Sequence, residues 1–187
     1  MKTTLLKNLL ASTLYSCCLL AGTYAQEYVS TTAPVETGKA PGAKAKLLST
    51  NGTTKTYVLV FAPGDEIRSG LTEFAQQYNV KSAHYTAVGD VVYAKVGWYD
   101  YNRKMFKVIH IDTAEVVSFI GNITSFNGKP VAHTHMSAAT SDGLVHGGHL
   151  LESVVGPTLE VFITVEPTAV QKKRNARFEA ALIDPAQ

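Results

Sequence analysis

Apolar positions along this chain fall into short alternating or continuous runs, broken once by a helical period. Lys55 to Ala62 is rich in β-branched and aromatic side chains and stops at Pro63-Gly64, the pattern of a strand. Asp65 then offers an N-cap, and Ile67, Leu71, Phe74, Ala75 and Tyr78 recur at helical spacing as far as Asn79. Beyond the helix, Ser82 to Gly89, Val91 to Tyr99, Lys104 to Ile111 and Ala114 to Phe126 alternate or run apolar at strand length. Asn102 and Asn127-Gly128 mark reversals, the second a strong signal for a two-residue hairpin. Val131 to Ala139 and Leu159 to Val165 complete six or seven strands around one helix. The predicted class is α+β, built on a largely antiparallel sheet.

The two ends differ from this middle. Residues 26–46 hold prolines, glycines and small residues without a period, and are expected to form a flexible linker. The folded domain then spans 47–167. Residues 168–187 form a short basic tail, with Lys172, Lys173, Arg174 and Arg177 ahead of a short solvated helix over Phe178–Leu182. At the other end, Lys2 and Lys7 precede an uncharged apolar run from Leu9 to Gly22, and small residues stand at Thr23 and Ala25. This is the layout of a signal peptide over 1–25, cut before Gln26, and it implies export to a bacterial periplasm or beyond. The run is shorter than the ~20 residues of a membrane-spanning helix. Lipid attachment at Cys17 is a weaker alternative.

Charge and cysteine content narrow the chemistry. The net charge of +2 comes from Lys2 and Lys7, and from residue 27 onward 15 basic residues face 15 acidic ones. Nucleic-acid binding needs a basic excess on some face, so it is not expected here. Cys17 and Cys18 are the only cysteines, which removes disulfides, thiol nucleophiles and thiolate metal cages from the body of the chain.

The chemistry that remains is imidazole. His133-Thr134-His135 places two histidines two apart on a strand, on one face and about 6.6 Å apart. The strand must reverse through Ser141-Asp142-Gly143, a three-residue loop with glycine in the left-handed position. That loop pairs Thr140 with Leu144, and counting back sets His149 opposite His135, on the same face. His146 pairs with Ala138 and points the other way, provided that Gly147-Gly148 forms no bulge. Three imidazoles with a fourth position open are the donor set of a catalytic-type zinc site. Neutral imidazole is the ligand, so occupancy is expected to fall as pH drops through about 6.5. His84 and His110 are expected to be ordinary surface histidines. Glu152, the nearest carboxylate in sequence, points away from His149 by strand parity.

These same segments resemble the plant and prokaryote conserved (PPC) domain family. The landmarks are Val58-Leu59, Pro63-Gly64-Asp65-Glu66-Ile67, Leu71 to Ala75, Ala87-Val88-Gly89 and Gly97-Trp98-Tyr99-Asp100. They continue through Val116 to Ile123, Val131-Ala-His133-Thr-His135, Gly147-Gly-His149-Leu-Leu-Glu152 and Val155-Gly156-Pro157-Thr158. Asp90 is a departure, where a small apolar residue is more usual. The resemblance implies a homotrimer and, in bacterial members, a divalent metal on His133, His135 and His149. It also implies distant kinship with acetolactate decarboxylase, a zinc enzyme with a similar histidine set. Plant members carry AT-hooks that grip the DNA minor groove, and no such segment occurs here. The expected function is therefore an exported PPC-domain protein of unassigned role, binding zinc or another divalent metal. Alternatives are a metal-dependent small-molecule lyase, or a metal-free trimeric interaction or DNA-associated module.

Overall fold

The computed structural model describes residues 25–186, so the expected signal peptide lies almost wholly outside the described residues. The strands are β1 (Tyr28–Ser30), β2 (Lys44–Asn51), β3 (Thr54–Phe61), β4 (Ala83–Asp100), β5 (Met105–Phe126), β6 (Lys129–Ala139), β7 (Val145–Val165), β8 (Lys172–Asn175) and β9 (Ala180–Ile183). One helix, α1 (Ile67–Gln77), follows β3. The main sheet is antiparallel and runs β1-β5-β4-β7-β3-β2, while β6 pairs with both β5 and β7. Strands β4, β5, β6 and β7 thereby close into a ring.

Each long strand merges two runs that the pattern separates. Ser82–Gly89 and Val91–Tyr99 belong to β4, which bends at a register shift around Gly89. Gly89 has φ +146, and a Cβ there would lie 2.2 Å from the Thr158 carbonyl oxygen, so the bend needs glycine. Lys104–Ile111 and Ala114–Phe126 join likewise in β5. The turn between β4 and β5 is closed by Asp100, whose carboxylate accepts from the amides of Asn102 and Arg103 at 2.9 and 3.0 Å. Asn127 and Gly128 both have positive φ, the two-residue turn their identities predict.

The helix buries Ile67, Leu71, Phe74 and Ala75 against the sheet, each large side chain contributing roughly 1.5–3 kcal/mol. Tyr57 meets Phe74 edge-on, with centroids 5.4 Å apart. The N-cap is Glu66, not Asp65: its carboxylate accepts from the Ser69 amide at 2.6 Å and the Ser153 amide at 3.2 Å. Asp65 is buried and engaged elsewhere, accepting from the amides of Gly42 and Ala62, each at 2.9 Å.

That engagement corrects the expectation of a flexible linker over 26–46. This segment is strapped along the domain: β1 adds an edge to the sheet, Glu66 donates its amide to Lys39 O at 2.8 Å, and Ala40 is buried. Its fixation comes from groups far along the chain, so no local period announces it. The tail is corrected too. Residues 172–183 form a hairpin, turned by Asn175, whose side-chain oxygen accepts from the amides of Arg177 and Phe178. Five residues are too few for a stable helix, whereas an Asx turn needs only Asn175.

Asp65→Ala leaves two half-buried amides without their acceptor. We expect it to lower the unfolding free energy by ~3 kcal/mol, read from urea denaturation. A change below about 0.5 kcal/mol would show that the strap is not anchored there.

Candidate metal centre

Strand β6 divides its side chains cleanly. Thr134, Met136 and Ala138 are buried toward the core, so His133, His135 and Ser137 face outward. The tie beneath is Tyr85, whose hydroxyl lies 2.6 Å from Thr134 Oγ1. Its ring crosses Gly121, where a Cβ would come within 2.4 Å of it. Thr134, the residue between the two histidines, is thus held from below. Burial pushes the Tyr85 phenol up, so it stays protonated and able to donate.

The hairpin forms in the predicted register. The Thr140 amide donates to Leu144 O at 3.0 Å, Gly143 has φ +80, and His135 pairs with His149 and Ala138 with His146. Gly147 and Gly148 continue the ladder without a bulge because the space is backbone-tight. A Cβ on Gly147 would lie 2.7 Å from Met136 O, and one on Gly148 2.7 Å from Gly97 O. On its other side His149 faces Gly97 of β4. The missing side chain there lets Phe106 lean across and stack on the His149 ring, at 4.3 Å and 8°.

The three imidazoles therefore converge. Ring centroids are 5.2 Å apart for His133 and His135, 5.0 Å for His133 and His149, and 5.6 Å for His135 and His149. One ring nitrogen from each lies within 4.8 Å of the others, and among the described residues no Asp or Glu joins the group. Burial, helped by the charges of Lys172 and His135, lowers the His133 pKa to about 4. Burial, with the neighbouring imidazoles, Arg68 and Lys172, lowers that of His149 to about 3. Both are neutral well below pH 6.5, so a metal ion does not compete with protons for these two rings until the solution is far more acidic than expected.

His146 is exposed and lies outside the group, while His84 and His110 are surface residues, 3.7 Å from Glu166 and 3.2 Å from Glu27 respectively. Glu152 requires a correction. A register shift places Leu151 as an extra residue, with Leu150 opposite Val96 but Glu152 opposite Lys95, which returns Glu152 to the face of His149. Its carboxylate is drawn to the Lys95 ammonium, 3.5 Å away. Sequence reasoning also missed Asn122, the ladder partner of His133, whose buried side-chain oxygen has no hydrogen-bond partner. It missed Phe106 and Lys172 as well, both distant in sequence and carrying no motif.

Solved structures with this fold carry varied names. A candidate DNA-binding protein from Bacteroides thetaiotaomicron superposes with TM-score 0.71 at 18% identity, covering 78% of this chain and 99% of its own. A plant- and prokaryote-conserved protein from Pyrococcus horikoshii gives TM-score 0.66 at 26% identity, over 74% and 99%. A metal-containing protein from Archaeoglobus fulgidus gives 0.64 at 24%, over 75% and 96%. The α-acetolactate decarboxylase of Bacillus subtilis is a distant likeness, with TM-score 0.43 at 14% identity over 71% of this chain and 60% of its own. No curated protein sequence matches the chain. The model of the Plants and Prokaryotes Conserved (PCC) domain matches residues 48–167, the stretch that holds α1, the ring and all three clustered histidines, and the chain belongs to that family.

Proposed function

We propose that the domain binds one divalent metal ion, zinc first among the possibilities, through His133, His135 and His149, with a coordination position left for a small ligand. The observation that carries this reading is the approach of three imidazole donors to within 4.8 Å on one face. Around a single zinc at ~2.1 Å, tetrahedral nitrogens would stand about 3.4 Å apart, a contraction within reach of side-chain rotation. The donor set suits zinc, copper, nickel or iron. Asn122 adds support, since a metal-bound histidine turns its second ring N–H toward an acceptor, and an idle buried oxygen sits opposite His133. A zinc ion held this way supplies Lewis acidity to whatever occupies its open position.

A binding centre is favoured over an enzyme because no carboxylate joins the imidazoles among the described residues, and Glu152 is occupied by Lys95. The equal count of basic and acidic residues from residue 27 onward runs against DNA as the partner.

We further propose that the protein is exported and works as a homotrimer. Phe162, Thr86, Ile120 and His135 form one cross-strand row, with Phe162 and Ile120 exposed, so an apolar surface beside the histidines awaits cover. Among the described residues no helix is long and apolar enough to cross a membrane.

Metal analysis after chelator-free purification should give about one ion per chain in wild type, little in His135→Ala or His149→Ala, and near-normal content in His146→Ala. Loss in the last with retention in His149→Ala would overturn the ligand assignment. Protein recovered from its host should begin near Gln26 and scatter light with three times the chain mass, and Ile120→Glu should dissociate it. A monomer carrying Met1 would refute both parts of that reading.

The metal-free protein should lose stability as pH falls from 6.5 toward about 4. In that window the unfolded chain protonates both histidines while the folded chain, with His133 and His149 near 4 and 3, does not. Thermal melts should show the slope, and His149→Gln should flatten it; a pH-independent melting temperature across this range would contradict the burial of the two rings.

A further inference from the structure

The electrical balance of the site is incomplete. Three neutral imidazoles contribute no charge, and among the described residues no carboxylate joins them. Lys172 is half-buried and forms no ion pair among the described residues. Its charge acts on both His133 and His149, and burial lowers its own pKa. A divalent ion placed here would add two further positive charges to a partly dehydrated site. Such charge is costly unless an anion offsets it.

The position of Lys172 follows from the β8–β9 hairpin. Its entry is fixed at β5, where the Ser125 amide donates to Val170 O at 2.8 Å and Ser125 bridges Gln171. Ser125 is three residues from Asn122, the partner of His133. Its far end is fixed at the opposite side: Tyr99 Oη donates to Phe178 O at 2.8 Å, and Lys104 pairs with Glu179 at 3.4 Å. Tyr99 in turn packs edge-on against Phe106, the residue stacked on His149. The hairpin thus crosses from the His133 side of the cluster to the His149 side. Along β8, Lys172 is half-buried and Lys173 exposed. This hairpin lies beyond residues 48–167, the stretch shared with the family.

We propose that the hairpin makes the metal centre a receptor for a small carboxylate, one oxygen taking the open position on the ion and the Lys172 ammonium binding the other. The proposal rests on the metal reading above. A carboxylate provides the missing negative charge and two oxygens for two cationic partners, which a single-atom anion does not.

The test uses protein loaded with Co²⁺, whose visible absorption bands report its ligands, titrated with acetate and, at matched ionic strength, with chloride. Wild type should show saturable acetate binding and much weaker chloride binding. Lys172→Gln should weaken acetate by about tenfold or more with cobalt content unchanged, and Lys172→Arg should largely restore it. Lys173→Gln, which removes the same charge from an exposed position, should behave as wild type. Equal acetate affinity in wild type and Lys172→Gln overturns the proposal, as does an equal loss in Lys173→Gln or cobalt loss in Lys172→Gln. Absence of saturable acetate binding to loaded wild type overturns it while leaving the metal reading intact. Failure of wild type to retain cobalt brings down the metal reading itself.

Discussion

Everything in this domain hangs on β6 being held from both sides. Pairing with β5 along one edge and with β7 along the other leaves the strand no freedom to slide or to rotate. A slip of one residue would drive His133 and His135 inward and turn Thr134, Met136 and Ala138 out. Burial of Met136 and the hydrogen bond between Tyr85 and Thr134 therefore act on the histidines without touching them. The cluster is organised by the hydrophobic core beneath it.

The glycines extend that constraint to the third ring. Gly147, Gly148 and Gly97 each stand where a methyl group would collide with backbone or with Phe106. Close approach of β7 to β6 and β4 brings His149 into the cluster, and the space above Gly97 admits the aromatic ring that dehydrates it. Desolvation and convergence thus share one cause, which is why the converging His149 ring is also hard to protonate.

Much of this was legible in the sequence because it is local. The helix showed its period from Ile67 to Tyr78, Asn127-Gly128 named its turn, and Gly143 set the hairpin register that pairs His135 with His149. What escaped depends on distant partners. Asp65 looks like a helix cap until Gly42 and Ala62 claim it, and residues 26–46 look unstructured until Lys39 and Ala40 meet the helix. The extra residue beside Leu150 reverses the face of Glu152, and nothing in the local pattern signals a bulge there. The tail could not be placed at all, since its contacts with Ser125 and Tyr99 span tens of residues.

The loop at Ser141–Gly143 acquires an unusual freedom from the closed ring. In an isolated hairpin the connecting loop alone decides which residues face each other. Here β6 is also aligned by β5, and β7 by β4, so the alignment is specified more than once. The loop residues are exposed and their removal from the register problem leaves them little to do. Chain length and composition can drift at this tip with the histidines staying where they are, so the outer contour of the site can diversify while its chemistry is inherited unchanged.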